Sequence, residues 1–334
     1  MRTRRYFCCM NSLMFVEIDG TTKKNVDNTI FQIIKTIGIF EKKWNIFFQK
    51  STISKLNKRK NRWCYVESYT ADILNRAYCF TKEKGTGYSV FAGVYAKIWK
   101  YALFTETLPT KSDIEKLREK FSHADMQIRG RFIKVNEEEA IDLGGCAKGY
   151  IAEYIKKKFI NKKGVRSIIL NLGGNILVST KEDDGVEVRI ENPVNKTISI
   201  LYGVKDSSIV TSGDYIQCFY KDEKLYHHII DLDTGYPVES PFCNVTVCQQ
   251  DGFVCDCLAT YFYTKGLEAI EECERDGIAA IFTFKDGKTI FTSNVKKYII
   301  LNNTTKKEKY NYEEKFRYCN YRNEWGISRS RDYK

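Results

Sequence analysis

The sequence predicts an α+β fold made mainly of antiparallel sheets with helices packed against them. Strand-like apolar runs follow one another closely in the second half of the chain, short turns join them, and only two good helices interrupt them. The chain is 43% hydrophobic and 14% aromatic, which is ample material for a core. No run approaches the roughly 18–20 continuous apolar residues that a membrane span requires. We therefore expect a soluble, globular protein with no membrane span.

The first half of the chain predicts one strand and three helices. The opening stretch MRTRRYFCCMNSLMFVEIDG runs from apolar residues directly into a charged segment, so we interpret it as a strand. Apolar residues at helical spacing predict helices within residues 24–47, 68–84 and 113–125. Gly85 and Gly87 lie just past the end of the second of these helices, where glycine is common.

The second half predicts a series of strands and two helices, from about Ala147 to Lys162 and from about Cys257 to Arg275. The strand-like runs are SIILNL, NILVST, VEVRIEN, TISILYGV, SSIVTS, IQCFY, YHHIID, NVTVCQ and AAIFTF. Residues 299–334 are rich in charge and aromatics and poor in aliphatic residues. We expect one domain over residues 1–298 and an appended tail over residues 299–334, which is either a solvated extension or a docking surface.

The formal charge of +12 raises the question of a nucleic-acid partner. The basic residues are spread among many acidic ones, which favours a generally basic surface over a nucleic-acid groove, and an anionic substrate or partner fits equally well. The twelve cysteines lack the spacing of a disulfide framework, and several lie in apolar runs. The basic start resembles a signal peptide but lacks a small-residue cleavage site. These features together predict a cytoplasmic, reducing location.

The stretch IDLGGCAKGYIAEYI, from Ile141 to Ile155, combines a strand end, a glycine turn and a helix start. Unpaired N–H groups point out of a helix N-terminus, so this arrangement is suited to an anion, and Lys148 adds a cation there. The spacing matches neither the Walker loop nor the dinucleotide fingerprint. Taken alone, the segment is equally compatible with a structural tight turn.

Three further polar segments lie among the later strands. In LNLGGNILV the paired glycines indicate a turn or bulge, and IVTSGDYIQCFY by itself is a polar turn. In VCDCLATYFY, Asp256 and Thr260 lie at i and i+4 on one face of a helix start, and oxygen ligands of this kind suit Mg²⁺. The cysteines around this segment have irregular spacing without CxxC pairs, which does not favour zinc.

The stretch YHHIIDLDTGYP holds two of the three histidines in the chain at adjacent positions, followed by two carboxylates, a hydroxyl and a turn glycine. Together with DLGGCAKGY, LNLGGNI, TSGDY and CDCLAT, and in the same order and spacing, it resembles the ApbE family. The resemblance covers about residues 6–298. It implies a T-fold-like architecture and a Mg²⁺-dependent FAD:protein FMN transferase.

The reaction implied by the resemblance transfers FMN from FAD to a threonine or serine hydroxyl of an acceptor flavoprotein, and AMP leaves. His228 matches the position of the base that activates this hydroxyl, whereas His227 is assigned to strand structure. By the same matching, Asp256 and Thr260 would hold Mg²⁺ with the backbone carbonyl of Gly145. Asp142 and Lys148 would contact FAD, and Ile230 is a weaker contact beside the base.

The remaining positions implied by the resemblance line the flavin cleft. They are Met10, Phe47, Gly87, Tyr88, Ser89, Thr211, Gly213 and Asp214. The chain departs from the family at two positions, because the family commonly has Asp in place of Ser89 and Pro in place of Leu232. The first change puts one polar flavin contact in doubt, and the second affects turn rigidity. Two alternatives stay open: an FAD pyrophosphatase that yields FMN and AMP, and a non-catalytic flavin-binding protein.

Overall fold

The computed structural model describes residues 1–296, so the tail predicted over residues 299–334 lies outside the described part of the chain. The helices are α1 (Lys23–Trp44), α2 (Thr52–Asn57), α3 (Ser68–Lys84), α4 (Gly93–Thr105), α5 (Lys111–His123), α6 (Ala147–Phe159), α7 (Gly252–Lys265), α8 (Glu268–Arg275) and α9 (Ser293–Lys296). None of the helices in this part combines the length and apolar character needed to cross a membrane.

The strands form one large sheet and three small ones. They are β1 (Arg2–Cys9), β2 (Ser12–Gly20), β3 (Cys64–Tyr65), β4 (Met126–Arg129), β5 (Phe132–Val135), β6 (Val165–Asn171), β7 (Asn175–Thr180), β8 (Val186–Glu191), β9 (Ile198–Val204), β10 (Ser207–Gly213), β11 (Cys218–Lys221), β12 (Lys224–His227), β13 (Phe242–Gln249), β14 (Ala279–Phe284) and β15 (Thr289–Phe291). The large sheet has eight strands in the order β1-β2-β6-β7-β10-β13-β14-β15. Its neighbouring strands are antiparallel, which confirms the predicted α+β class.

Two cores lie on the two faces of the large sheet. Side chains alternate along a strand, so Ile168 and Leu170 of β6 join the main core beneath the helices, whereas Ile169 joins a second core. The β8–β9 hairpin covers this second core with Val188 and Leu201. The near-continuous apolar run of β6 therefore reflects burial on both faces of the sheet.

Several predicted elements have different bounds in the structure. The N-terminal strand is a hairpin of β1 and β2, whose turn places Met10 and Asn11 at positive φ. The helix predicted from Cys257 to Arg275 begins earlier, at Gly252, and is broken at Gly266, whose φ of 71° ends α7. The strand predicted for YHHIID ends at His227, and beyond it Ile230 makes only an isolated bridge to Pro237.

The helices α2 and α4 and the small sheet β3-β5-β4 were not predicted from the sequence. The strands of that sheet are two to four residues long, too short to show a clear alternation. In α4, Trp99 is buried while Tyr101 is exposed, so aromatic residues occupy both faces and obscure the helical period.

Candidate active site

The segment from Ala140 to Cys146 is held firmly before α6 begins. The Asn57 amide donates to the carbonyl of Ile141 at 2.8 Å and accepts from its N–H at 3.0 Å. Gly93 allows α4 to approach from the other side, since a Cβ there would lie 2.6 Å from the carbonyl oxygen of Ala140. These contacts fix the position of Asp142 and of the glycine turn that follows it.

The N-terminus of α6 is capped by a carboxylate from α7. Cys146, the residue before the helix, makes no side-chain cap. Instead, the N–H of Gly149 donates to Asp256 Oδ2 at 2.8 Å. Burial raises the pKa of Asp256, while Lys148, the Gly149 N–H and the side chain of Asn175 oppose that rise. The positive end of the helix dipole also favours a carboxylate at this place.

The structure brings the three predicted metal donors into one region. Thr260 lies one turn after Asp256 on α7. A Cβ on Gly145 would be 3.8 Å from the Thr260 hydroxyl and 3.1 Å from the Tyr88 ring, so the glycine turn passes directly over Thr260. Lys148 donates to the carbonyl of Gly173 at 3.3 Å, and its charge lowers the pKa of Asp256, so its ammonium lies near the same donors.

Asn175 lies beside Asp256, and it was not among the site residues predicted from the sequence. Its side chain is 0% exposed. It is close enough to Asp256 to lower the pKa of that carboxyl. Within residues 1–296, however, neither atom of its amide has a partner in hydrogen-bond geometry. The Asn175 amide therefore acts on the Asp256 carboxyl from outside strict hydrogen-bond geometry and is available to a ligand at this site.

The two adjacent histidines have different environments. His227 is buried: its Nε2 lies 3.0 Å from the carbonyl of Val238, and its Nδ1 accepts the Ile229 N–H at 3.3 Å. Burial lowers the pKa of His227 to about 4. Both ring nitrogens are therefore used within the fold, in agreement with the assignment of His227 to structure.

His228 is exposed to solvent, although the chain surrounds it on several sides. Desolvation by the surrounding chain lowers its pKa, and His227 and Lys148 lower it further. A hydrogen bond to the backbone of Gln217 acts in the opposite direction. The influence of Lys148 places the candidate base near the α6 N-terminus.

Asp142 has a similar environment, because its side chain is only partly accessible and the chain encloses it. Burial raises its pKa, and the N–H groups of Gly144 and Leu143 and the charge of Lys100 oppose this rise. Lys100 also places its Nζ 3.4 Å from the centre of the Phe47 ring. Lys100 thus links two predicted flavin contacts, yet no motif marked it in the sequence.

The other flavin positions on this side have defined structural contacts. Tyr88 is buried against the glycine turn, and Ser89 accepts the Phe91 N–H at 3.1 Å, which caps a short 3-10 turn. Gly87 packs against Tyr261, where a Cβ would lie 2.7 Å from the ring. Met10 donates its N–H to Glu41 at 2.7 Å. Whether these residues contact flavin stays a prediction.

The end of β10 divides its side chains between the two faces of the sheet. The hydroxyl of Thr211 lies 2.8 Å from that of Thr246, whereas Ser212, the next residue, is 3.2 Å from the Thr260 hydroxyl. Side chains alternate along a strand, so Ser212 and not Thr211 contacts the candidate metal region. If the register of β10 had been known, the alternation of side chains along the strand would have identified Ser212 as the residue that faces Thr260.

Gly213 and Asp214 complete this strand end. A Cβ on Gly213 would lie 2.5 Å from the carbonyl oxygen of Cys243, so the close approach of β13 requires glycine. Asp214 is buried, with Lys285 3.8 Å from its Oδ2, and burial raises its pKa. Asp214 is therefore enclosed by the protein just after β10. Its direct contact with flavin stays a prediction.

The turn after the histidines is fastened to the helical layer. Asp231 Oδ1 accepts the N–H groups of Asp233 and Thr234 at 2.9 and 3.0 Å. Trp99 donates to the carbonyl of Gly235 at 2.8 Å, and the Tyr95 hydroxyl donates to that of Leu232 at 3.2 Å. Leu232, where the family commonly has Pro, is buried. The hydrogen bonds from Tyr95 and Trp99 of α4 hold the turn in place without that proline.

The chain is similar in sequence to known proteins. The model of the ApbE family matches residues 10–282. The FAD:protein FMN transferase of Klebsiella pneumoniae (strain 342) is 26% identical over 273 residues, which cover 79% of this chain and 84% of that protein. The protein of the same name from Treponema pallidum (strain Nichols) is 28% identical over 241 residues, 64% of this chain and 65% of that protein.

The fold is also similar to a solved structure. The crystal structure of the ApbE protein of Thermotoga maritima superposes with a TM-score of 0.81 at 19% identity and covers 90% of this chain and 100% of that one. At this identity the likeness concerns the fold alone. Because the family model spans most of the sequence, the chain belongs to the ApbE family.

Proposed function

We propose that this chain is an FAD:protein FMN transferase that uses Mg²⁺ to move FMN from FAD onto a threonine or serine hydroxyl of an acceptor flavoprotein. One observation supports this proposal above the others. Asp256 and Thr260 of α7 meet the glycine turn and the N-terminus of α6, with the ammonium of Lys148 near the same donors. Carboxylate, hydroxyl, helix N-terminus and ammonium together suit a metal-bound pyrophosphate.

The residues of this region fit Mg²⁺. The donors would be the Asp256 carboxylate, the Thr260 hydroxyl and the Gly145 carbonyl, all of them oxygen, and Mg²⁺ normally completes its shell with water and substrate phosphate. Within residues 1–296, no group of three or more His, Cys, Asp or Glu side chains could hold a metal. A set with one carboxylate is compatible with that finding. When bound, Mg²⁺ would neutralise charge that develops on the pyrophosphate.

The side chains around this set would orient the substrate. The ammonium and the backbone N–H of Lys148 would bind phosphate oxygens, since the N–H groups of Ala147 and Gly149 beside it already donate to Leu143 and Asp256. Asp142 and Lys100, at the Phe47 side of the cleft, would contact the rest of the dinucleotide. In phosphoryl-type transfer, such positioning and charge neutralisation supply most of the rate enhancement.

His228 would act as the base. Its lowered pKa keeps the imidazole neutral near pH 7, so that a ring nitrogen can accept a proton. The acceptor hydroxyl oxygen forms a bond to the FMN phosphorus, the bond from that phosphorus to the AMP oxygen breaks, and the hydroxyl proton passes to His228. The exposure of His228 suits an acceptor that approaches from outside the protein.

Water also reaches His228, which keeps hydrolysis of FAD to FMN and AMP as a second candidate function. Incubation with FAD and Mg²⁺ in the absence of any protein acceptor separates the two. We expect slow release of FMN from a transferase. Rapid and complete release under these conditions would identify a pyrophosphatase instead.

The proposal is tested by producing the chain together with a candidate acceptor flavoprotein and measuring covalent flavin fluorescence on a denaturing gel. We expect strong fluorescence on the acceptor with the unmodified chain and little with His228→Ala or Asp256→Ala. His123→Ala is the matched control, because His123 is the third histidine and lies exposed at the end of α5. Equal fluorescence from all four proteins would refute the proposal.

A further inference from the structure

A second cavity lies between α2 and β3. Its volume is about 300 Å³. Its lining includes Lys43, Thr52, Lys55, Arg59, Tyr65 and Glu67. The candidate donors Gly145, Asp256 and Thr260 are not among the lining residues, so this cavity is separate from the flavin cleft.

The wall of this cavity carries positive charge that is only partly neutralised. Glu67 is its one carboxylate, and it pairs with Lys43 and accepts from the Thr52 hydroxyl. Lys55 of α2 and Arg59, in the turn that follows this helix, are both exposed. Across residues 1–296, neither of these two side chains forms a salt bridge or a side-chain hydrogen bond. Two cations on the wall are therefore available to an anionic partner.

An aromatic rim borders the cavity on the side of β3. Tyr65 is 61% exposed, and its ring centre lies 5.4 Å from that of Phe132, which is 50% exposed. The guanidinium of Arg131 lies 4.4 Å above the Tyr65 ring. Arg129, farther along the same small sheet, lies 4.9 Å from the centre of the Trp63 ring. The rim thus combines exposed aromatic area with additional cations.

We propose that this cavity and its rim bind an acidic segment of the acceptor protein. Lys55 and Arg59 would pair with carboxylates, and the Tyr65–Phe132 pair would cover the apolar part of the segment. Single-stranded nucleic acid offers the same charge, but it requires aromatic faces on which bases can stack. Arg131 already covers one face of Tyr65, so the surface fits carboxylates better than bases.

The location of the cavity is consistent with this role, which rests on the proposed function. The helix that carries Lys55, and that ends just before Arg59, also carries Asn57, whose amide binds Ile141, the residue before Asp142. A segment docked on the exposed side of α2 would therefore be held by the element that supports the edge of the flavin cleft. Electrostatic docking of this kind mainly affects the encounter with the acceptor and leaves FAD binding unchanged.

The test measures binding of a fluorescein-labelled octaglutamate peptide to the full chain by fluorescence anisotropy. In the variant Lys55→Glu with Arg59→Glu, we expect the affinity to fall by about tenfold or more. The control is Lys116→Glu with Lys120→Glu, which changes the net charge equally on α5 and should bind as tightly as the unmodified chain. Equal affinity of the unmodified chain and the α2 variant would overturn the proposal, as would an equal loss in both variants. Tighter binding of labelled octathymidylate, lost in the α2 variant, would identify a nucleic-acid site instead.

A second measurement separates this inference from the proposed function. In flavin transfer to an acceptor, the α2 variant should raise KM for the acceptor, while the affinity for FAD and the release of FMN without acceptor stay unchanged. If the unmodified chain transfers no flavin, the proposed function fails, and the peptide titration still decides whether the cavity binds acidic segments. An unchanged KM for an acceptor that the unmodified chain does flavinylate would overturn the docking role.

Discussion

Asn175 and Asn57 are both buried asparagines, but their amides are used differently. Asn57 makes two hydrogen bonds to the backbone of Ile141. The amide of Asn175 has no partner in hydrogen-bond geometry among residues 1–296. A buried polar group without a partner destabilises a fold by roughly 1–3 kcal/mol, so we expect Asn175 to weaken the ligand-free protein. We infer that its amide is satisfied when ligand is bound.

The substitution Asn175→Leu should therefore separate stability from binding. We expect the free energy of unfolding of the ligand-free protein to rise by about 1 kcal/mol, because an apolar side chain of similar size replaces an unpartnered amide. Binding of Mn²⁺, followed by its electron paramagnetic resonance signal, should weaken. Asn57→Leu is the contrast and should lower the free energy of unfolding by about 1–3 kcal/mol. Equal destabilisation by both substitutions would show that Asn175 is already satisfied within the fold.

The low pKa of His227, about 4, makes stability depend on pH. In the unfolded chain this histidine titrates near 6.5, so between about pH 6.5 and 4 the unfolded state binds more protons than the folded state. Stability attributable to His227 is present above pH 6.5 and is lost as the pH falls toward 4. Integrated over that range, the loss is about 3 kcal/mol.

We expect His227→Gln to remove this part of the pH dependence, since glutamine can still donate to the Val238 carbonyl but does not titrate. Urea unfolding at a series of pH values from 7 to 4 measures the effect. The unmodified chain should lose more free energy of unfolding over this range than the variant. Parallel pH profiles for the two proteins would contradict the structural role given to His227.

At the scale of elements, the candidate site depends on how closely α6 and α7 pack. A Cβ on Gly149 would lie 2.0 Å from the carbonyl oxygen of Gly252 and 2.8 Å from Asp256 Cβ. Glu153 of α6 also accepts the Gly252 N–H at 3.0 Å. The glycines thus bring the α6 N-terminus and the Asp256 carboxylate together, and any larger residue would separate the two helices.

Gly149→Ala should disturb both the packing and the site. We expect the free energy of unfolding to fall by about 1–3 kcal/mol, as is usual for overpacking, and FAD binding to weaken because Asp256 moves away from the Gly149 N–H. Gly38→Ala in α1 is the matched control, since nothing lies within 4 Å of its Cβ position. It should stabilise the protein by about 0.5–1 kcal/mol. Thermal unfolding and flavin fluorescence titration of both variants test this contrast.

At the scale of the whole molecule, the large sheet collects site residues that are far apart in the sequence. Asn175 begins β7, Ser212 lies near the end of β10, and Asp256 lies on α7, which packs on β10 and β13. These three residues come together only when the large sheet has formed and α7 is packed on it. A ligand bound among them is therefore expected to stabilise the fold as a unit.

We expect FAD with Mg²⁺ to raise the midpoint of thermal unfolding. At a ligand concentration of about one hundred times Kd, the stabilisation is about 2.7 kcal/mol, which corresponds to roughly 5 °C for a chain of this size. Scanning calorimetry with FAD and Mg²⁺, and with FAD and EDTA, measures the effect. An equal shift in the presence of EDTA would contradict the proposed role of Mg²⁺ in binding FAD.

Much of the second half of the fold could be predicted, because its strands are long and apolar. Runs such as NILVST and AAIFTF match β7 and β14 at both ends. The predicted ends of an element were wrong where the backbone conformation of one residue sets them. Gly266 ends α7 in this way, although the apolar periodicity continues beyond it. The short strands of the sheet β3-β5-β4 show no clear alternation of apolar and polar residues in the sequence, since they gain their stability from neighbouring elements.

The sequence by itself determined the α+β class, the order of the strands in the second half of the chain and the types of donor at the candidate site, because these depend on local periodicity and on motif residues near one another in the chain. The tertiary structure decided which side chains meet. It brought Ser212 and not Thr211 to Thr260, placed Asn175 beside Asp256, and set Lys100 between Phe47 and Asp142. Such contacts depend on strand register and helix packing between distant segments, which local sequence patterns do not encode.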